Sequence, residues 1–226
     1  MHRFTVLSEP IPTSAPSEEK PKGVKAELLD RRRILLVVAV LLVELALFAS
    51  GLLTPLSNSA QQSLANQANS QFAQVQSAGP IQLVVFIFTH NLTIALIEMV
   101  PVLGAFLFVL STYSTGLAAQ AIVVSQGLPS QFGAILFAFP YSLVELSAYA
   151  IAVGASIMLL VSWRRKKLHR EIRVFALQGV VVAAVLLVAA AMETATDISP
   201  LLGFALWLPT GLALAGIIVL SERNRT

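Results

Sequence analysis

No cysteine occurs in the 226 residues, which excludes disulfides, thiolate catalysis and cysteine-ligated metal. Charge is scarce too. Lys, Arg, Asp and Glu make up 12% of the chain, about half the share usual in a soluble domain. From Ile34 to Trp163 there is no Lys, Arg or Asp, and the only acids and histidine are Glu44, His90, Glu98 and Glu145. Intramembrane aspartyl proteolysis needs two buried aspartates, and the apolar runs hold none. No HExxH pattern, phosphate loop or dinucleotide fingerprint is present, and no serine has a histidine partner suggested by spacing. The chain is therefore expected to be non-enzymatic, with no cofactor and no bound metal.

What is abundant is apolar sequence. Hydrophobic residues make up 56% and mean hydropathy is +0.79, and several runs approach the length of about 20 residues that spans a bilayer. The pI near 9.5 would point to nucleic acid in a soluble protein. Here all fifteen Lys and Arg fall within residues 3–33, residues 164–173 and the last four positions. That is the pattern of basic cytoplasmic segments, so no nucleic-acid partner is expected. The expected class is an all-α integral membrane protein of the cell membrane, crossing several times, with the lipid bilayer as its first partner.

Residues 1–33 read as a disordered cytoplasmic tail, proline-bearing and polar, ending in Arg31-Arg32-Arg33. A helical membrane domain follows over 34–220, with spans expected at about 34–53, 81–99, 102–124, 141–162, 174–192 and 201–220. The first is taken as an uncleaved span rather than a signal peptide, because it contains Glu44 and lacks a good cleavage site. Residues 54–80, rich in Gln, Asn, Ser and Ala, read as an external polar segment. A weak stripe of Leu64, Ala68, Phe72 and Val75 suits a helix resting on its neighbours. The apolar stretch 81–124 divides into two spans at Met99-Val100-Pro101-Val102, because the basic segments at 31–33 and 164–170 must be separated by an even number of crossings. The external linker is expected over 193–200. Both termini are then cytoplasmic in a six-span bundle.

The fourth segment carries the sharpest local signal. Pro140 lacks a donor and disfavours helix in the residue before it, so Ser130–Phe139 reads as a short outer helix and Tyr141–Ser162 as the crossing. The carbonyl near Leu136 loses its helical partner and must find another donor. Glu145 falls in the first turns after the break and is expected to turn inward toward Glu193, where two close carboxylates would share a proton. Glu44 and His90 both fall near mid-depth and are expected to meet directly or through one water. Pairs of small residues at spacing four (Ala148/Ala152, Ala150/Gly154, Gly179/Ala183, Gly211/Ala215) read as helix-packing faces.

Several motifs, in order, resemble the stage II sporulation protein M family. Phe88-Thr-His-Asn91-Leu-Thr-Ile-Ala95 is similar to the family's early Asn followed by Ala. Gly104 and Gly116 match its turn glycine and the glycine of an Asn-Gly pair, with Thr115 in place of Asn. Pro140, Glu145 and Leu146 match its Pro-His-Gly-x-x-Glu-Leu motif, with Tyr141 and Ser142 replacing His and Gly. Ala190-Ala191-Met192-Glu193 with Ser199-Pro200 resembles its late Ala-x-x-Glu and Thr-Pro. The likeness runs over about residues 85–200. It implies a membrane scaffold that gathers other membrane or envelope proteins, and makes the last span an addition to a five-span layout; a homo-oligomer is a separate expectation. The alternative is a transporter or channel component using Glu44, His90, Glu145 and Glu193. A water-accessible pocket lined by those acids would discriminate, since transport needs one and a scaffold does not.

Overall fold

The computed structural model describes residues 28, 30–76 and 79–223; the tail expected over 1–33 lies outside them apart from its last few residues. The described residues form eight α-helices and one 3₁₀ helix: α1 (Arg31–Leu52), α2 (Asn58–Gln76), α3 (Pro80–Glu98), α4 (Leu103–Ser125), the 3₁₀ helix (Ser130–Ala138), α5 (Pro140–Arg164), α6 (Leu168–Ile198), α7 (Pro200–Ala205) and α8 (Trp207–Arg223). Five of them, α1, α3, α4, α5 and α6, are long and apolar enough to cross a membrane. Helix α5 is the most buried of the five, and it packs on α6, α1, α3 and α4. Its small residues Ala148, Ala150, Ala152, Gly154 and Ala155 are all buried and allow that crowding.

The expected turn at 99–102 is present. It is tight enough to hold Val102 at φ 70° and ψ −57°, a γ-turn closed by Leu103 N–H donating to the Pro101 carbonyl at 2.9 Å. A β-branched residue there is strained. Gly104 makes the turn feasible, because a Cβ at that position would enter the backbone of Glu98. Helix α4 ends in a Schellman closure: Gly127 at φ 77° lets the Leu128 amide reach the Val123 carbonyl at 3.3 Å.

The break at Pro140 also follows the expectation. The short helix ends at Ala138, Phe139 is extended, and fully buried Pro140 opens α5. The Leu136 carbonyl finds its donor in the Ser142 hydroxyl at 2.7 Å. Loss of that bond in Ser142→Ala should lower stability by about 1 kcal/mol, measured as a fall in the thermal unfolding midpoint of the purified protein.

Two stretches at the C-terminal side differ from the expected element bounds. The linker over 193–200 is helical as far as Ile198, with Thr196 Oγ1 donating to the Met192 carbonyl at 2.8 Å. Only Ser199, forced into extended geometry before Pro200, breaks the chain. The stretch 201–220 is not one continuous helix. Pro209 has no N–H for the Ala205 carbonyl, so helix stops at Ala205 and restarts at Trp207. Its apolar part, Pro200–Gly216, is shorter than the five candidate spans. The Gly211/Ala215 pair is no packing face, since residues 211–216 are exposed and nothing lies within 4 Å of a Cβ placed on Gly211. The polar helix α2 lies along α4 and touches α3, with Ala65 buried; the side chains of Phe72 and Val75 lie outside the described residues.

Candidate functional site

Helix α1 buries Val40, Glu44, Phe48 and Gly51, one face at helical spacing. That face puts a carboxylate among apolar neighbours. Helix α3 buries Leu83, Ile87, Asn91, Ala95 and Glu98, again one face, and its last residue is an acid held in place by the strained turn that follows. Glu44 and Glu98 are each only 1% exposed. Glu98 Oε1 accepts from the Ser111 hydroxyl at 2.9 Å. Glu98 Oε2 and both oxygens of Glu44 are buried and accept no hydrogen bond from any described residue.

Helix α5 contributes Glu145, half-buried, which accepts from the Tyr149 hydroxyl one turn further on at 3.1 Å. Helix α6 contributes Glu193, also half-buried. All four acids line one cavity of ≈ 630 Å³, with His90, Asn91 and Tyr149. Leu64, Gln67 and Ala68 of α2 and Leu136 and Phe137 of the 3₁₀ helix also line it. Among the described residues no Lys, Arg or Asp lines it. Glu44 is within electrostatic reach of Glu98 and Glu145, and Glu193 of Glu145.

The expected approach of Glu145 to Glu193 is therefore present as a shared cavity wall within charge–charge reach. Glu44 and His90, expected to meet directly or through one water, share the cavity wall without a direct bond. His90 lines the same cavity but is exposed and stacks on Phe86, with ring centroids 6.2 Å apart. Asn91 faces the cavity as a buried amide. Gly104 and Gly116 do not line it; they serve close backbone approach. Among the described residues no group of three His, Asp or Glu side chains is placed to hold a metal ion.

Two features escaped the sequence reading. Tyr149 donates to Glu145 and lines the same cavity as Glu44 and Glu98, and its spacing from Glu145 on one helix was visible. The other is a buried ion pair below the cavity. Arg33 donates to Glu171 Oε2 at 2.7 Å and, weakly, to Gln178 Oε1 at 3.4 Å, while the Ser162 hydroxyl reaches the same Glu171 oxygen at 3.3 Å. This cluster ties α1, α5 and α6 together at the end where both basic segments lie. No member of it lines the cavity.

These features define the class: an all-helical membrane protein with five apolar candidate spans around a carboxylate-lined cavity. The model of the SpoIIM family, stage II sporulation protein M, matches residues 34–196, so the chain belongs to that family. The match takes in three of the five candidate spans whole, α3, α4 and α5, and α1 and α6 over nearly all their length, and it includes all four cavity acids. No curated protein and no solved structure matches the chain.

Proposed function

We propose that the protein is a non-catalytic cation transporter or channel component in which Glu193, Glu145, Glu44 and Glu98 carry charge inward from the outer face. One observation carries this reading: four acids from four different helices line a single cavity that no Lys or Arg among the described residues lines. A carboxylate placed only to fix helix register would be hydrogen-bonded to a neighbouring span. Glu44 accepts no such bond from any described residue, and an unpartnered buried polar group is costly unless something else occupies it. The acids are staggered along the bundle, from Glu193 and Glu145 near the outer ends of their helices to Glu98 at the inner end of α3. In proteoliposomes enclosing a pH-sensitive dye, Glu145→Gln should cut potential-driven proton flux at least about tenfold at unchanged protein level. Unchanged flux in that variant would sink the reading.

The scaffold reading is favoured by the family membership and by the outer platform of α2 and the 3₁₀ helix, a surface on which other membrane or envelope proteins could dock. It predicts co-purifying partners, or a homo-oligomer, that Glu145→Gln leaves intact.

The same proposal includes the orientation. The ion pair between Arg33 and Glu171 holds the basic segments 31–33 and 164–173 at one end, which we assign to the cytoplasm of the cell membrane. A sixth crossing by α7 and α8 would return the C-terminus to that side. A cysteine at exposed Ser63 should react with an impermeant reagent added to intact cells, and one at exposed Lys167 should not; labelling of Lys167→Cys from outside would reverse the assignment.

A further inference from the structure

The carboxylate oxygens of Glu44 are the least satisfied polar atoms in the cavity. The side chain is 1% exposed, both oxygens are unpartnered among the described residues, and the cavity adjoins them. They are acceptors only when ionised, so what meets them must be a cation or a strong donor. Three occupants are conceivable, and geometry separates them.

A bare metal ion needs about six to eight converging oxygens, several of them charged. The described residues offer no group of three acids or histidines for that purpose. Water alone would fit the acids, but its share of liquid volume is about 30 Å³, and much of the wall is apolar. Phe48, Phe86, Phe137, Ile94 and Leu146 all line the space. A cavity of ≈ 630 Å³ with apolar walls and a few fixed polar groups matches the range of about 300–1,000 Å³ typical of sites for small organic ligands. An ammonium group needs only one or two carboxylate oxygens, and its organic body needs apolar wall. Both are present side by side: Phe48 is one turn along α1 from Glu44, and its ring meets that of Phe137 edge-on at 5.1 Å.

We propose that the cavity binds an organic ammonium ion, with the charged head seated on Glu44 and the apolar body against Phe48, Phe86 and Phe137. This rests on the transport reading for its biological sense, but the site stands on its own geometry. Glu98 is the second acceptor, through Oε2, while Ser111 occupies its other oxygen. Tyr149 and Glu145 line the same cavity. Faces of aromatic rings attract cations, so the walls favour a charged guest over its neutral form as well.

The test uses the full chain in lipid nanodiscs with dansylcadaverine, a fluorescent primary ammonium, and its N-acetylated neutral form. The ammonium should bind saturably, and the neutral form about tenfold or more weaker. Glu44→Gln should weaken binding of the ammonium by a similar factor without loss of thermal stability, because it removes a buried charge that no described side chain pairs. Glu98→Gln should weaken it less. Equal binding of the two forms, or unchanged binding in Glu44→Gln, would overturn the inference. So would competitive displacement by sodium or calcium that disappears in Glu44→Gln, because the seat would then belong to a metal ion. If the probe does not bind but Glu145-dependent proton flux persists, the ligand class is wrong and the transport reading stands. Binding without flux overturns transport and keeps the site.

Discussion

Gly116→Val is expected to remove the folded protein from the membrane fraction, the largest single-residue effect in the apolar core. At Gly116, α4 meets α1 with backbone against backbone. A Cβ there would enter the Phe48 carbonyl, lie 2.9 Å from the Leu52 amide and 3.1 Å from the Gly51 Cα. Gly51 shares the constraint, since its own Cβ would enter the Tyr113 carbonyl. A flexible side chain could yield, but here the obstacles are main-chain atoms of a helix, so the two helices must separate. Overpacking inside a well-packed core costs about 1–3 kcal/mol when side chains can adjust, and this substitution has no such route. The contact matters beyond its own area, because α1 carries Glu44 and packs on both α4 and α5. Gly211→Val is the matched control: nothing lies within 4 Å of its Cβ, and it should leave yield and thermal stability unchanged. Comparable yields of the two variants, measured by fluorescence-detected size exclusion, would contradict the close-approach argument.

Legibility in the sequence tracked how local the cause was. Proline and charge act over a few residues, so the break at Pro140, the acceptor at Leu136 and the turn at 99–102 could be read from neighbours in the chain. The interruption within 201–220 was not read because hydropathy averages over Pro209, while helix continuity depends on one missing N–H. The end of α6 was misread for the opposite reason. Glu193 and Asp197 look like loop residues, yet the helix carries them on to Ile198. At the site, the identity of the acids was legible but their convergence was not. Depth along a helix follows from counting residues, whereas azimuth follows from which faces pack. Glu44 and His90 share a depth and the cavity but make no direct bond. Glu98 belongs to the site because its helix face already buries Asn91 and Ala95. Membership of the family followed from motif order, and Gly104 and Gly116 in those motifs turn out to serve the backbone rather than the cavity.

Charge hidden in a basic segment was the least legible feature, and it supports the second large prediction. Glu171 stands among six Lys and Arg at 164–173, where a topology count treats it as noise. In the fold it pairs with Arg33 in a buried site, with side chains 8% and 9% exposed. Removing one member of a buried pair costs about 3–5 kcal/mol, because the other charge is left uncompensated, while replacing both by apolar residues is often near neutral. The two single losses should not be equal. Glu171 lies in the first turn of α6, where the helix dipole favours a negative charge, and it keeps the Ser162 hydroxyl when Arg33 is gone. Arg33 lies in the first turn of α1, where the same dipole disfavours a positive charge, and it would be left with a 3.4 Å contact to Gln178. Glu171→Leu should therefore destabilise more than Arg33→Leu, and the double variant less than either. The order can be read from thermal unfolding in detergent. A double variant as damaged as the sum of the singles would mean that each residue acts through other partners. The same pair joins the N-terminal ends of α1 and α6, which the cavity does not reach. Under the transport reading that end must open for a charge to leave, so the double variant, though folded, should conduct protons faster than the native chain. Equal flux would place the inner barrier elsewhere, at the α3–α4 turn beneath Glu98.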